Sequence, residues 1–205
     1  MADHMARKWT RDEEILAFAL YCETPFGRMH TRNQEVIALA RLLGRTPASV
    51  SMKMCNFARF DPALRARGIA GLENGSGQDE EIWNEFNEDW ESLIYERASI
   101  LTRLQCSSHI SAKNEKMPAG TDRIVEMKAR INQDFFRRSL LSAYENRCCI
   151  TGLNATDLLI ASHIKPWSVS DPKRERTSPS NGLLLNAFHD RAFDKGYMTI
   201  DRNYL

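Results

Sequence analysis

No long hydrophobic run occurs in this sequence, and that absence limits where the protein can reside. None of its 205 residues falls in a stretch approaching the roughly 18 consecutive apolar residues that a membrane-spanning helix needs. The opening MADHMARKWT has basic side chains but no apolar segment behind them, so it does not read as a secretory signal. We therefore expect a cytoplasmic protein without a membrane partner.

Cysteines are few, and their number and placement argue against a disulfide framework. The five thiols are scattered and odd in number, which fits reduced cysteines better than paired ones. Cys148 and Cys149 open a Cys-Cys-Ile-Thr-Gly segment that could form half of a four-cysteine zinc site. Because no cysteine follows Cys149, we expect no structural zinc and two buried cysteines that bind no metal.

A large excess of charge is also missing, so composition alone does not identify a partner. The net charge is +1, but residues 1–67 carry 11 basic and 7 acidic side chains, residues 68–104 carry 2 and 9, and residues 105–205 carry 15 and 11. Two mildly basic regions flank an acidic one. This pattern is compatible with binding a polyanion at both ends, but it is weaker than that of a strongly basic domain.

The N-terminal region has the apolar spacing of helices. Three short helices are predicted, over residues 12–21, 33–43 and 48–57. Thr10 and Glu13 form a capping-box pattern before the first helix, and Gly44 ends the second. A long amphipathic helix is predicted over residues 80–104. Its apolar stripe indicates core or inter-domain packing, with a dimer interface as the alternative.

The pattern changes in the second half of the sequence. Residues 105–122 are polar and are predicted to be a linker, followed by a helix over residues 123–146. Shorter elements are then predicted: strands over residues 158–164, 182–185 and 197–200, and a helix over 188–194. We expect an α+β protein with a helical domain over residues 1–104 and a second domain over residues 123–205.

Three segments in the second domain follow one another in an order that indicates a catalytic site. They are Ala-Ser-His-Ile-Lys-Pro-Trp (161–167), Asn-Gly-Leu-Leu-Leu (181–185) and His-Asp-Arg-Ala-Phe-Asp (189–194). A strand ending in histidine, a loop, a strand opening with asparagine and a helix bearing His and Asp together resemble the HNH, or ββα-metal, nuclease motif. The resemblance covers roughly residues 145–200.

The resemblance implies hydrolysis of a phosphodiester bond by one histidine and one metal ion. His163 would be the general base, because imidazole titrates near neutral pH and can take a proton from water. Asn181 would hold the His163 ring or its loop in the working orientation, since its amide both donates and accepts. A packed α+β domain with surface histidines and solvated acids is the plainer alternative.

The metal ligands are expected on the helix, but the spacing leaves their identity open. In the family pattern the ligands lie nine and thirteen residues after the asparagine, which here are Asp190 and Asp194 on one helical face. His189 lies one position earlier than the first of them. We expect Asp190 and Asp194 as ligands and keep His189 as a ligand or catalytic residue.

Ser162 is a further departure, because many relatives carry a carboxylate or histidine there. The remaining donors are rich in oxygen, with water completing the shell. Such a set suits Mg²⁺ or Mn²⁺ better than a tight Zn²⁺ cage, although other divalent ions could serve.

Two sets of side chains are candidates for contact with double-stranded DNA. The first lies around the motif and could follow the phosphate backbone, although solvated loop charges explain it equally well: Lys165, Lys173, Arg174, Arg176 and Arg191. The N-terminal helices resemble a helix-turn-helix or Myb-like unit, whose last helix could expose side chains to a major groove. The candidates there are Arg45, Ser49, Ser51, Lys53 and Asn56. A plain packing module is the alternative.

These features favour a bacterial or phage restriction-type HNH endonuclease, which could require modified DNA. One such site cuts one strand, so a double-strand break would need a homodimer or two successive nicks. A DNA-binding regulator with a decayed nuclease motif is the alternative from another class of protein. Ser162 would then be the first indication that a metal ligand has been lost. A nuclease specific for RNA or for particular structures is the alternative among enzymes.

Overall fold

The architecture is α+β, as the sequence predicts. It is seen in a computed structural model that describes residues 7–72, 75–108 and 121–201. In chain order the elements are α1 (Arg11–Glu23), α2 (Gln34–Leu43), α3 (Pro47–Phe57), α4 (Pro62–Ala66), α5 (Gly77–Phe86), α6 (Trp90–Ser108), α7 (Thr121–Ala143), β1 (Leu159–His163), β2 (Gly182–Asn186) and α8 (Ala187–Asp194).

The first three helices begin and end at residues suited to those places, and the three predicted short helices are confirmed. The Thr10 hydroxyl accepts the Glu13 N–H, and the Glu13 carboxylate accepts the Thr10 N–H, which completes the capping box. Gly44 ends α2 with a left-handed φ of 61°. Thr46 caps α3, and Pro47 occupies its first position, where a missing N–H costs nothing.

The single long helix expected over residues 80–104 is wrong, because the chain breaks between α5 and α6. Asn87 caps the end of α5 with its N–H on the Trp83 carbonyl. The Asp89 carboxylate accepts the Ser92 N–H at 3.2 Å, as a helix-starting residue does. Asparagine and aspartate compete with the helix for backbone hydrogen bonds, so this polar segment ends one helix and begins another.

The apolar stripe of these two helices belongs to the core, which excludes a dimer interface for its central residues. Phe86 of α5 and Leu93 and Ile94 of α6 are buried in one cluster with Ile15 and Phe18 of α1. Burial of such side chains contributes about 1.5–3 kcal/mol each. The helical region therefore packs around α1.

The two strands form an antiparallel pair in which His163 lies opposite Gly182 and Ser162 lies opposite Leu183. Helix α8 follows β2 without a connecting loop and packs on both strands. The expected third strand over residues 197–200 is wrong, because that segment has no regular structure. A Gly196 in the left-handed conformation, with φ of 72°, ends the helix and turns the chain away.

Helix α7 belongs to two cores. Phe135 packs in the helical core, and Phe136 and Leu140 pack with Leu159 and Leu184 of the strands. Two adjacent aromatic residues thus join the helical region to the sheet.

The expected linker over residues 105–122 lies mostly outside the described residues. Its two described ends are helical, because α6 runs to Ser108 and α7 begins at Thr121. In the part of the chain that the structure describes, none of the helices combines the length and apolar character needed to cross a membrane.

Candidate active site

His163 lies at the end of β1 between two aromatic rings. Its imidazole stacks on Phe136 of α7, with ring centroids 4.0 Å apart and planes 12° from parallel. Trp167 meets the imidazole edge-on at 5.6 Å and 88°. The ring is half-buried, so its orientation is restricted while one edge can still reach solvent.

A backbone carbonyl determines which nitrogen of His163 carries the proton. Nε2 lies 2.8 Å from the carbonyl oxygen of Arg176. A carbonyl oxygen only accepts, so Nε2 must donate, and in the neutral ring the free lone pair is then on Nδ1. His163 is therefore arranged to accept a proton at Nδ1.

Asn181 organises the loop over residues 164–180 rather than touching the imidazole. It is buried, its Oδ1 accepts the Lys165 N–H at 2.8 Å, and its Nδ2 donates to the Lys165 carbonyl at 3.2 Å. The same amide nitrogen reaches the Ser170 hydroxyl at 3.2 Å and the Glu175 carbonyl at 3.3 Å. Of the two roles expected for Asn181, these contacts match the holding of the loop.

Charged groups within the loop support the same shape. Lys165 pairs with Glu175, whose carboxylate also accepts the Asp171 N–H at 2.7 Å. Asp171 in turn accepts the N–H groups of Lys173 and Arg174 at 3.0 and 2.8 Å. These bonds hold the pKa of both carboxyl groups below the ordinary range: the Lys165 ammonium is the main cause at Glu175, and the Arg174 N–H at Asp171.

The loop also docks on the helical region at the turn between α5 and α6. The Trp90 N–H donates to the Lys173 carbonyl at 3.2 Å, and the Lys173 ammonium lies 3.2 Å from Asp89. Arg174 pairs with Glu88 at 3.1 Å. Burial raises the pKa of Asp89, but the Ser92 N–H and Lys173 outweigh it and lower that pKa.

The two faces of β1 serve different helices. Successive strand side chains point to opposite faces, so His163 stacks on α7 while Ser162 faces α8. The Ser162 hydroxyl donates to Asp190 Oδ1. His163 and Ser162, the partner of Asp190, are thus neighbours in the chain whose side chains lie on opposite faces of β1.

The expected ligand residues of α8 differ in their surroundings. Nδ1 of His189 is buried and has no hydrogen-bond partner among the described residues, whereas Asp194 is exposed. Within the described residues, no group of three His, Cys, Asp or Glu side chains is placed to hold a metal ion. The helix nevertheless begins firmly, because Asn186 Oδ1 accepts the His189 N–H at 2.9 Å.

The two adjacent cysteines have different environments. Cys148 is buried as expected, and its sulfur accepts the Asn186 N–H at 3.4 Å. Burial raises the pKa of the Cys148 thiol, but hydrogen bonds from Thr151, Ile150 and Asn186 outweigh it and lower that pKa. The expectation that Cys149 is buried is wrong, because its side chain is exposed in the turn.

The N-terminal candidates for DNA contact are engaged in the protein's own structure. Lys53 was expected on an exposed face, but it is only 5% exposed and binds Glu14 at 2.8 Å and Asp79 at 2.5 Å. The Arg45 side chain is 7% exposed and bonds Glu13 at 2.7 Å. An exposed position for Lys53 is therefore wrong, because carboxylates of α1 and α5 enclose it.

The other candidates of α3 are also bonded within the fold. The Asn56 amide donates to Asp79 at 3.2 Å, and the Ser51 hydroxyl donates to the Met29 carbonyl at 2.6 Å. Ser49 is half-buried, with its N–H on the Thr46 cap.

Among the candidates around the motif, Arg191 is exposed on α8. Arg176 is half-buried, with its guanidinium carbon 5.4 Å from the centre of the Trp167 ring. Lys165, Lys173 and Arg174 are exposed but form the ion pairs described above.

The geometry defines a class of domain. Two short antiparallel strands, a helix directly behind them, a histidine at the end of the first strand and an asparagine immediately before the second are the features of a ββα nuclease domain. Residues 148–201 match the family model HNH_2, described as HNH endonuclease. This part of the chain is an HNH endonuclease domain, which indicates a nuclease acting on DNA. No curated protein and no solved structure gave a significant match.

Three features of the site have little or no signal in the motif. The Arg176 carbonyl is a backbone group, so no side-chain pattern could reveal it. Phe136 reads only as an apolar anchor of its helix. The docking of Lys173 on Asp89 joins residues far apart in the sequence, although the acidic region over residues 68–104 offered a general hint of charge pairing.

Proposed function

We propose that this protein is a metal-dependent endonuclease that hydrolyses phosphodiester bonds of double-stranded DNA. The observation that supports the proposal best is the hydrogen bond of His163 Nε2 to the Arg176 carbonyl, which leaves Nδ1 free to accept a proton. The catalytic residues would be His163 and, in the second place, His189, with Asn181 positioning the loop.

In the proposed reaction, His163 Nδ1 takes a proton from a water molecule as that water attacks phosphorus. The bond between phosphorus and the 3′ oxygen breaks, and the leaving oxygen takes a proton from solvent. The products are a 5′-phosphate and a 3′-hydroxyl. Stacking on Phe136 and the bond to Arg176 reduce the freedom of the imidazole, so that it is held ready for the water.

The donors on α8 fit a divalent ion that keeps part of its water shell. His189 offers a buried nitrogen without a partner, and Asp190 has carboxylate lone pairs beyond its bond to Ser162. Asp194 lies one turn further on the same helical face. These residues would hold Mg²⁺ or Mn²⁺, which suit few protein ligands completed by water. A bound ion supplies charge neutralisation at the phosphate and at the leaving oxygen.

A restriction role, with recognition of modified bases, remains part of the proposal. It is supported by the helical region, which packs against the nuclease domain and could recognise the DNA sequence that the nuclease domain cuts. In that arrangement Lys165, Arg191 and the neighbouring basic side chains follow the DNA backbone. A double-strand cut then needs two copies of the protein or two successive nicks.

A regulator that binds DNA without cutting it is the second candidate. Ser162 favours this candidate for two reasons. Its hydroxyl donates to one carboxylate oxygen of Asp190, and a serine at this position could bind a metal ion only weakly. The two candidates differ in whether DNA is hydrolysed.

Cleavage of supercoiled plasmid in Mg²⁺ or Mn²⁺ separates them. General acid–base catalysis contributes about 10²–10⁴-fold, so His163→Ala should reduce the rate by at least about 100-fold. The matched control is His30→Ala, which removes an exposed imidazole from the helical region and should cut like the unchanged protein. No cleavage by the unchanged protein would leave the regulator as the function, and equal measurable rates for the unchanged protein and His163→Ala would exclude His163 as the general base.

A further inference from the structure

A cavity of about 340 Å³ lies between the helical core and the turn that leads into β2. Its lining includes the aromatic side chains of Tyr21, Phe26, Trp83 and Trp90. The volume lies within the roughly 300–1,000 Å³ of pockets that bind small organic groups. Four aromatic side chains in the lining suit a flat, apolar-faced ligand.

Two buried hydroxyl groups on this cavity lack a hydrogen-bond partner within the described part of the chain. Thr24 and Ser139 both line it, and each is 1% exposed. Neither Thr24 Oγ1 nor Ser139 Oγ has a hydrogen-bond partner among the residues that the structure describes. Buried hydroxyls are normally satisfied, so two on one cavity indicate a ligand that brings polar groups.

Further polar groups meet the same space. Asp61 lines the cavity and is held in place by the Tyr21 hydroxyl, which donates to it at 2.7 Å. Asn87 adds an amide, which can both donate and accept. Aromatic faces combined with hydroxyl, amide and carboxylate groups match a planar heterocycle with polar atoms along its edge.

The cavity adjoins the loop over residues 164–180 and opens to solvent. Ser178 and Ser180 line it and lie within three residues of Asn181, in the segment that follows Arg176. Its exposed lining residues include Arg67 and Ala143, so they mark its mouth, where the Arg67 guanidinium is paired with Glu145. An occupant attached to a phosphate chain could enter there and contact the segment that orients His163.

We infer that this cavity binds a nucleobase turned out of the DNA double helix. The inference rests on the proposed function, since DNA is the substrate that would present the base. Proteins that take up such a base read its edge by hydrogen bonds and stack it between aromatic or apolar side chains. The base would lie among Tyr21, Trp83 and Trp90, with its edge toward Thr24 and Ser139.

The test measures DNA binding by the full chain carrying His163→Ala, in the absence of divalent ions, so that no strand is cut. Two duplexes of the same sequence are compared, one fully paired and one with a single mispaired base. A mispaired base costs less to turn out, so we expect the mispaired duplex to bind at least about 5-fold more tightly.

Variants of the cavity show whether it causes that preference. Thr24→Val with Ser139→Ala removes both hydroxyls and should reduce the preference to less than about 2-fold. Thr102→Val is the matched control, because its hydroxyl bonds the Ala98 carbonyl on the exposed side of α6. Ala143→Phe obstructs the mouth of the cavity from an exposed position and should reduce the preference in the same way. It replaces the double variant in the test if that variant fails to fold.

Three results would overturn the inference: equal binding of the two duplexes, a preference that the cavity variants retain, or no binding of either duplex. Quenching of tryptophan fluorescence by a free nucleotide without any preference between duplexes would assign the cavity to a small molecule instead. Plasmid cleavage by the unchanged protein, measured in parallel, tests the proposed function separately. If the unchanged protein cleaves plasmid but the two duplexes bind equally, the proposed function stands and only the inference that the cavity binds a base is wrong.

Discussion

At the level of single residues, His163 is oriented by groups from two separate parts of the chain. Phe136 comes from α7, while Trp167 and the Arg176 carbonyl come from the loop between the strands. The histidine and Asn181 could be selected from the motif because their identity and order are distinctive. The proton position at His163 could not, because it depends on a backbone carbonyl.

Replacing Asn181 by alanine should loosen the loop that carries the Arg176 carbonyl. The substitution leaves the partly buried Lys165 N–H without its acceptor, and an unsatisfied group costs up to about 1–3 kcal/mol when it is buried. We expect a loss of that size in the free energy of unfolding by urea, together with slower plasmid cleavage. Asn154→Ala, at an exposed position, is the control. Unchanged stability and cleavage would show that Asn181 does not organise the loop.

Replacing His189 by alanine tests its part in metal binding without relying on activity. We expect Mn²⁺ affinity, measured by calorimetric titration, to fall by at least about 10-fold. His30→Ala should leave it unchanged. If His189→Ala binds Mn²⁺ as the unchanged protein does, the carboxylates of Asp190 and Asp194 hold the ion without it.

The N-terminal candidates show where reasoning from one helix fails. Helical spacing placed Lys53 on an exposed face of α3, since nothing in that segment reveals what packs against it. In the fold, Glu14 and Asp79 arrive from α1 and α5 and enclose the ammonium. Burial raises the pKa of Glu14 even though Lys53 opposes it. Contacts with segments distant in the sequence therefore determine that Lys53 is buried.

At the level of helices and strands, the sheet and α7 fit closely at Gly182. A Cβ placed there would lie 2.6 Å from Leu140 Cδ1 and 2.7 Å from Phe136 Cζ. Because Phe136 also stacks on His163, an alanine would displace the ring that supports the imidazole. The glycine of the Asn-Gly pair is therefore required by packing, and its backbone is ordinary extended strand.

Gly182→Ala should lower both stability and cleavage. Overpacking of a filled core costs about 1–3 kcal/mol, and we expect that loss in urea denaturation. Gly27→Ala is the matched control, because a Cβ there meets nothing within 4 Å. A Gly182→Ala protein as stable and active as the unchanged one would mean that Phe136 can move without effect.

Docking of the loop over residues 164–180 on the helical region should depend on pH. The pKa of folded Asp89 is lowered, so its pairing with Lys173 stabilises the protein above the pKa of an unfolded aspartate and is lost as the pH falls through the folded value. Asp89→Asn should therefore lower Tm slightly near neutral pH, since exposed pairs contribute at most about 1 kcal/mol. The difference from the unchanged protein should shrink below about pH 4.

Asp134→Asn, an exposed carboxylate of α7, is the control for that measurement. A Tm difference for Asp89→Asn that grows as the pH falls would contradict the pairing.

For the whole molecule, the sequence predicted most helices, both strands of the motif and the α+β class, because each has a local pattern. It missed the break at Asn87–Asp89, where one polar segment ends α5 and starts α6. The division into domains over residues 1–104 and 123–205 stays a prediction, and the sequence did not show that Phe135 and Phe136 of α7 pack into different cores. Periodicity finds a helix but not the neighbours on its two sides.

The most direct measurement is the proton position on neutral His163, read from long-range ¹H–¹⁵N correlations of the imidazole rings in the metal-free protein. The His163→Ala spectrum assigns the signal. We expect the proton on Nε2, bonded to the Arg176 carbonyl, and a bare Nδ1. A neutral His163 with its proton on Nδ1 would contradict the proposed general base, since the only lone pair would then face a carbonyl oxygen.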